Sequence, residues 1–306
     1  MRGQGGVSEL GAIGYALAGF TFWVLADSSI KLVGESGLPA YEMVACLGLG
    51  MAVYLGGWSW LRGEAGRLRP HRIGLQVLRA CLDMANNVCV VVALRHLTLT
   101  LFYILVFTAP MVIALLSATV LREGLPWRKA AAIAAGFAGV VVAVHPWSAM
   151  ATGKREWDWV GVAACAVCVS CFSTNMVWSR VLTRTEQPES LAFFSGLVTC
   201  AVGLVCMGAW GAQPIATARL GVGLAAMGVF CALGTLCFYV AVKHTTAASV
   251  AQYHYTQLVT GTAVSWAVWR VLPGGYVMAG GAMILASGVY IAMTTQGAET
   301  ALSEGA

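Results

Sequence analysis

Charged residues are scarce in this chain: of its 306 residues only 10% are Asp, Glu, Lys or Arg, whereas 59% are hydrophobic. A soluble domain is nearer a quarter charged, so these charges could not cover a water-facing surface of this size. That scarcity excludes an ordinary soluble enzyme and a disordered chain. The net charge of +5 is too dilute for a polyanion, which excludes a nucleic-acid partner. The composition therefore predicts a helical protein that crosses a lipid bilayer several times.

Motifs for energy conversion or catalysis are also missing. The sequence contains no G-x-x-x-x-G-K-[ST] loop, no His-Glu-x-x-His and no Gly-x-Ser-x-Gly. An enzyme is therefore not expected, and no cofactor is expected. An intramembrane enzyme, a channel and a structural subunit remain as alternatives of other classes, each without a motif of its own.

Ten cysteines are present, but all of them fall inside apolar runs, where they suit helix contacts better than disulfides. The run Cys165-x-x-Cys168-x-x-Cys171 resembles part of an iron–sulfur motif. It lacks the following Cys and Pro, and no His or acidic residue is near it in sequence. No metal site is therefore expected.

Ten apolar runs are each long enough for a membrane span of about 20 residues. They cover roughly residues 9–32, 39–61, 73–95, 97–121, 129–147, 157–181, 189–211, 219–242, 246–269 and 275–295. Lys and Arg in the connections favour cytoplasmic termini, because that orientation puts eleven of them inside and six outside. These features predict an all-α, multi-pass protein of the inner (plasma) membrane, with the lipid bilayer as its surroundings.

The two halves of the chain are related at an offset of 148 residues. Cys89-Val-Val-Val-Ala-Leu-Arg95-His96 then aligns with Cys237-Phe-Tyr-Val-Ala-Val-Lys243-His244. Each half holds five spans, an odd number, so the second half must enter the membrane from the opposite face. The sequence thus predicts two inverted five-helix units, 1–150 and 151–306, a design typical of transporters that work by alternating access.

Several short motifs together resemble the EamA module of the drug/metabolite transporter superfamily, and the resemblance covers nearly the whole chain as two modules. They are Arg95-His96-Leu97-Thr98, Thr108-Ala109-Pro110, Leu121-Arg122-Glu123-Gly124, Gly136-Phe-Ala-Gly139-Val140, Tyr255-Thr256-Gln257 and Ala286-Ser287-Gly288-Val289-Tyr290. The resemblance implies ten helices around a central cavity lined by spans 1–4 and 6–9, with spans 5 and 10 as peripheral supports.

Span 3 carries the clearest polar face. Arg79, Asp83, Asn86 and Asn87 recur at three- and four-residue spacing, so they share one side of a helix. Asp83 lies roughly 15 Å along the span at 1.5 Å per residue, close to mid-membrane. An intramembrane charge costs about 2.5–3.5 kcal/mol, which makes it a functional candidate. The alternative is an Arg79–Asp83 ion pair that only stabilises packing.

Span 9 carries the most polar stretch inside any span. Tyr253, His254, Tyr255 and Gln257 are candidates for the cavity, with added weight for Tyr255 and Gln257 from the resemblance. His254 could couple transport to protons. It could equally be a histidine that bridges two helices.

The remaining candidates are aromatic or amide side chains in spans 4 and 6, and two charges in span 1. The cavity candidates are Tyr103, Phe107, Asn175 and Trp178. Asp27 and Lys31 are spaced for an ion pair near the outer end of span 1, either as a gate or as a plain rim pair. Asp83 and His254 are the further gating or coupling candidates.

These features predict a secondary transporter for a small polar organic solute. A site with Asp83, Arg79, His254 and aromatic rings suits an amino acid or a similar amphoteric molecule, with export as the expected direction. Either an ion gradient, such as that of protons, or the solute's own gradient would supply the energy. The resemblance also admits uptake of S-adenosylmethionine, riboflavin or a similar metabolite. A monomer is expected, with a homodimer as the alternative, because spans 5 and 10 are rich in small residues.

Overall fold

The computed structural model describes residues 9–120, 126–145, 158–182, 185–214, 217–244, 253–254 and 256–304. Within these ranges all regular structure is helical. The α-helices are α1 (Glu9–Gly34), α2 (Ala40–Leu61), α3 (Ile73–His96), α4 (Leu99–Val106), α5 (Ala109–Val120), α6 (Trp127–Val144), α7 (Trp159–Leu182), α8 (Pro188–Trp210), α9 (Ala218–His244), α10 (Thr256–Trp269) and α11 (Gly275–Glu304). A short 3₁₀ helix, Ala65–Leu68, lies between α2 and α3.

Six of these helices contain stretches long and apolar enough to cross a membrane. The stretches are Gly11–Gly34, Ala40–Leu61, Ile73–His96, Trp159–Met176, Pro188–Trp210 and Ala218–His244. Shorter apolar stretches occupy the regions of predicted spans 4, 5 and 10. Helix α10 occupies part of predicted span 9. The all-helical, multi-pass architecture predicted from the sequence is therefore confirmed.

Predicted span 4 is not one continuous helix, because α4 ends at Val106 and α5 begins at Ala109. Pro110 has no amide hydrogen to donate to the carbonyl of Val106, so the regular hydrogen-bond ladder cannot pass this point. The turn closes instead with the amide of Thr108 donating to Leu105 O at 3.1 Å, and the Thr108 hydroxyl donating to the same oxygen at 2.7 Å. The break sits beside the central cavity described below.

Helix packing repeats between the two halves of the chain. Helix α1 packs against α9 as α3 packs against α7, and α2 contacts α9 as α8 contacts α3. The pairs α2–α8, α4–α10 and α6–α11 each join corresponding helices of the two halves. Two equivalent units that face each other across an axis produce this pattern, because exchanging them leaves the pairs unchanged.

Side chains at the helix ends repeat in the same way. Nη1 of Arg95 donates to Leu38 O at 3.0 Å, and Nζ of Lys243 donates to Oε1 of Gln187 at 2.9 Å. Arg95 and Lys243 are 148 residues apart, and Leu38 and Gln187 are 149 apart. The offset seen in the sequence therefore relates contacts in the folded chain as well.

Glycines bring α2 and α8 into backbone contact. A Cβ atom at Gly48 would lie 2.2 Å from the backbone nitrogen of Cys200, and one at Gly196 would lie 2.7 Å from Cβ of Met51. Gly48 and Gly196 are themselves related by the offset of 148. Small residues are what allow membrane helices to approach this closely.

We expect Gly48→Ala to destabilise the protein by roughly 1–3 kcal/mol, because the added methyl group forces α2 away from α8. Gly57→Ala is the matched control: it lies in the same helix and its added Cβ would meet no atom within 4 Å. Unfolding of the purified protein in detergent measures both variants. Equal midpoints for the two variants would contradict this account of the contact.

Candidate functional site

A cavity of about 100 Å³ lies between the two halves of the chain. Side chains of α1, α2, α3, α4, α7, α9 and α10 line it, together with His254, which precedes α10. Among the described residues, α6 and α11 contribute nothing to the lining. The polar lining residues are Asp27, Asp83, Asn86, Asn87, Tyr103, Asn175, Thr235, Tyr239, His254 and Gln257.

Helix α3 turns part of its predicted polar face into this cavity. Nδ2 of Asn175 donates to Oδ1 of Asp83 at 3.1 Å, and the Cys168 thiol lies 3.1 Å from Oδ1 of Asn86. Nδ2 of Asn87 donates to the Thr199 hydroxyl at 3.3 Å. These bonds join α3 to α7 and α8, so the polar face holds the two halves together where it lines the cavity.

Arg79 does not line the cavity, which corrects the expectation that it would. Its side chain is fully buried behind the cavity wall. Nη1 donates to the Tyr239 hydroxyl at 2.5 Å, while Nη2 donates to Leu191 O at 2.6 Å and to the Ser195 hydroxyl at 2.7 Å. Because a buried guanidinium needs acceptors for its N–H groups, Arg79 turns toward α8 and α9, where the acceptors are.

The Arg79–Asp83 ion pair that the sequence left as an alternative is present, with 3.8 Å between Nη1 and Oδ2. The carboxylate of Asp83 still reaches the cavity. This acid is therefore paired with a cation on the side away from the cavity and with an amide from α7.

The predicted Asp27–Lys31 ion pair is not formed. Oδ2 of Asp27 instead accepts a hydrogen bond from the Tyr103 hydroxyl at 2.8 Å. Nζ of Lys31 donates to Leu94 O at 3.2 Å and to Leu97 O at 2.8 Å. Carbonyls at the end of α3 have no helical donor, and a lysine satisfies them well. Asp27 thus lines the cavity, whereas Lys31 fastens α1 to the end of α3.

His254 is buried among aromatic rings at one wall of the cavity. Its ring centroid lies 4.9 Å from that of Phe20, 5.3 Å from that of Phe107 and 5.6 Å from that of Phe172. Phe107 was predicted to line the cavity, but it contacts His254 and is not among the lining residues. Nε2 of Gln257 donates to Phe20 O at 3.2 Å, which joins α10 to α1.

Two further cavity candidates, Trp178 and Tyr253, lie outside the cavity lining. Both rings pack against the hydrophobic core. Tyr255 lies outside the described residues. The structure thus brings together seven of the predicted cavity residues: Asp83, Asn86, Asn87, Tyr103, Asn175, His254 and Gln257.

Several lining residues were not singled out from the sequence. They are chiefly Trp23, Phe172, Phe238, Thr235 and Tyr239. The repeat offset could have found one of them, because it places Thr235 opposite Asn87. The aromatic residues carried no such signal, since rings are common in apolar spans.

All ten cysteines are free thiols. Cys165 and Cys168 are buried, and the thiol of Cys165 lies 3.9 Å from Phe102 O. In the described part of the chain, no group of three His, Cys, Asp or Glu side chains is placed to hold a metal ion.

A cavity that gathers carboxylate, amide and hydroxyl groups among apolar, membrane-crossing helices is typical of a transporter for small molecules. The sequence comparisons agree. The model of the EamA-like transporter family matches twice, over residues 10–145 and 159–293, and the chain belongs to this family.

Two curated relatives illustrate the family. The chain is 24% identical over 285 residues to the pseudopaline exporter CntI of Pseudomonas aeruginosa, covering 92% of this chain and 95% of that protein. It is 28% identical over 190 residues to the riboflavin transporter of Rhizobium johnstonii, covering 61% and 59%. A solved crystal structure covers 92% of this chain and 97% of its own, with a TM-score of 0.65 and 20% identity, which shows the fold alone.

We expect Arg79→Met to lower the free energy of unfolding by about 3–5 kcal/mol, because it leaves the Asp83 carboxylate without its cation. Combining it with Asp83→Asn should recover part of that loss, since the uncompensated charge is then gone. Unfolding in detergent measures the single and double variants, with the exposed Arg69→Met as the matched control. Strictly additive losses would show that the two side chains are not coupled.

Proposed function

We propose that this protein is a secondary active transporter that moves a small polar organic metabolite across the inner membrane by alternating access. In this proposal the chain forms ten spans in two inverted units, 1–150 and 151–306, and acts as a monomer with both termini in the cytoplasm. The observation that carries the proposal is the cavity between the halves: it gathers carboxylate, amide and hydroxyl groups inside otherwise apolar spans. Such groups are costly in lipid and mark a solute pathway.

Contacts between the halves at both ends of the helices support alternating access. At one end, the buried carboxylate of Glu186 accepts bonds from the backbone N–H groups of His71, at 2.9 and 3.1 Å, and of Arg72, at 2.8 Å. At the opposite end, Oε1 of Glu42 accepts from the backbone N–H of Gln213 at 2.8 Å. Opening the cavity to one side requires only the contacts at that end to separate, while those at the other end stay closed.

The chemistry of the cavity favours an amino acid or an amino-acid-like solute. Asp27 and Asp83 can hold an ammonium group, the amides of Asn86 and Asn175 can pair with a carboxylate, and aromatic rings provide apolar surface. Similarity to the pseudopaline exporter favours export. Similarity to the riboflavin transporter favours, as a second candidate, uptake of riboflavin, S-adenosylmethionine or a similar metabolite.

Energy for transport would come from a solute or proton gradient, since the sequence has no nucleotide-binding loop. Asp83 and His254 are the proposed coupling residues, because both line the cavity and both can carry a proton.

We expect at least one amino acid from a panel of the natural amino acids to raise the unfolding temperature of the purified protein. That increase should shrink in Asp83→Asn or in His254→Ala, because the first removes a negative charge from the cavity and the second removes the imidazole ring. Asp158→Asn is the matched control, since its carboxylate pairs with His96 away from the cavity. Increases that are unchanged in both cavity variants would remove these residues from the site.

Transport is tested with the same amino acid, radiolabelled, in proteoliposomes with and without a pH gradient. Accumulation above that of empty liposomes, enhanced by the gradient, is the expected result. If an amino acid raises the unfolding temperature of the protein but is not transported across the bilayer, the proposal is contradicted.

A further inference from the structure

We propose that the carboxylate of Asp27 is the subsite that binds the ammonium group of the solute. The rings of Trp23, Phe172 and Phe238, which form an aromatic wall beside it, hold the solute's apolar body in this proposal. This inference rests on the proposed function and names the part of the solute that the cavity recognises.

Two carboxylates line the cavity, and no Lys or Arg among the described residues does. Asp83 is balanced from behind by Arg79, at 3.8 Å, and accepts a further bond from Asn175. Asp27 has no such cation: the nearest lysine along its helix, Lys31, is bonded to carbonyls at the end of α3. Asp27 is therefore the unbalanced charge of the site.

The hydrogen bonds of Asp27 leave room for a ligand. In the described part of the chain, its bonding partner is the Tyr103 hydroxyl, which donates to Oδ2 at 2.8 Å. Among the described residues Oδ1 of the same carboxylate accepts no hydrogen bond, and Asp27 lines the cavity. A carboxylate with one neutral donor is costly in an apolar span, so a ligand that brings a positive charge and N–H donors gains the most there.

The aromatic wall decides what kind of cation fits. Trp23 lies one helical turn before Asp27 and so shares its side of α1. Its ring centroid is 5.1 Å from that of Phe238 and 6.4 Å from that of Phe172, and all three rings line the cavity. Aromatic faces attract organic cations and apolar groups alike. The site therefore suits an organic ammonium with an apolar or aromatic body.

The charges around the cavity disfavour an anionic solute. The guanidinium of Arg79 is fully buried, and its Nη atoms are already bonded to Tyr239, Leu191 and Ser195. A solute that carries a carboxylate but no amino group would meet Asp27 with no compensating cation. We therefore expect recognition to depend on the amino group.

The dependence on the amino group is tested on the purified wild-type protein with three compounds that share a phenylethyl group and differ in their polar group. They are 2-phenylethylamine, 2-phenylethanol and 3-phenylpropionate. Binding is measured by calorimetry and by the shift in unfolding temperature. The amine should bind at least about tenfold more tightly than the alcohol, because only the amine pairs with a carboxylate. The acid should not bind. An alcohol or an acid that binds as tightly as the amine would overturn the proposal without any variant.

Asp27→Asn assigns the subsite to its residue and should weaken binding of 2-phenylethylamine by at least about tenfold. Asp158→Asn, the same chemical change outside the cavity, should leave it unchanged. If Asp27→Asn does not fold, Asp27→Glu takes its place: the longer side chain moves the carboxylate and should alter the affinity by at least about threefold. Unchanged affinity in a folded Asp27 variant would overturn the proposal.

The outcomes separate this inference from the proposed function. Transport of a solute without an amino group would end the inference and leave the transporter intact. Binding of 2-phenylethylamine at Asp27, with no solute carried in proteoliposomes, would support the subsite and contradict the transporter.

Discussion

The buried guanidinium of Arg79 is the interaction on which the site depends. By bonding to α8 and α9 it fixes α3 against both, across the boundary between the two halves of the chain. It also supplies the cation for Asp83, 3.8 Å away. Because that acid is compensated, the charge balance of the cavity is set by Asp27. A single buried cation thus organises the packing and decides which carboxylate is available to a ligand.

The close contact between α2 and α8 and the cavity lie side by side in the helix bundle. Glycines at Gly48 and Gly196 let α2 and α8 touch through their backbones. The cavity lies beside this contact, between α1, α3, α4, α7, α9 and α10, and Leu47 of α2 also lines it. The break between α4 and α5 lies next to it, where Pro110 interrupts the helix. A cavity that changes its access from one side of the membrane to the other would need both features: the close α2–α8 contact on one side and the interrupted helix α4–α5 on the other.

Much of the site could be predicted because helical periodicity is local. The spacing of Asp83, Asn86 and Asn87 placed them on one face, and that face does line the cavity. The same spacing included Arg79, yet its long side chain turns toward acceptors on α8 and α9, which the spacing cannot reveal. Asp27 and Lys31 were spaced for an ion pair with each other. Instead, Asp27 accepts a hydrogen bond from Tyr103 of α4, and Lys31 donates to backbone carbonyls at the end of α3.

The sequence by itself determined the apolar spans, their separation by turn residues, the two related halves and the polar face of α3. Each of these depends on residues close together in the chain, or on a regular repeat. The tertiary structure alone decided which charges are paired, which aromatic rings form the wall beside Trp23, and how His254 is enclosed by Phe20 and Phe107. Those outcomes depend on side chains that meet only after the helices have packed, from positions as far apart as α1 and α10.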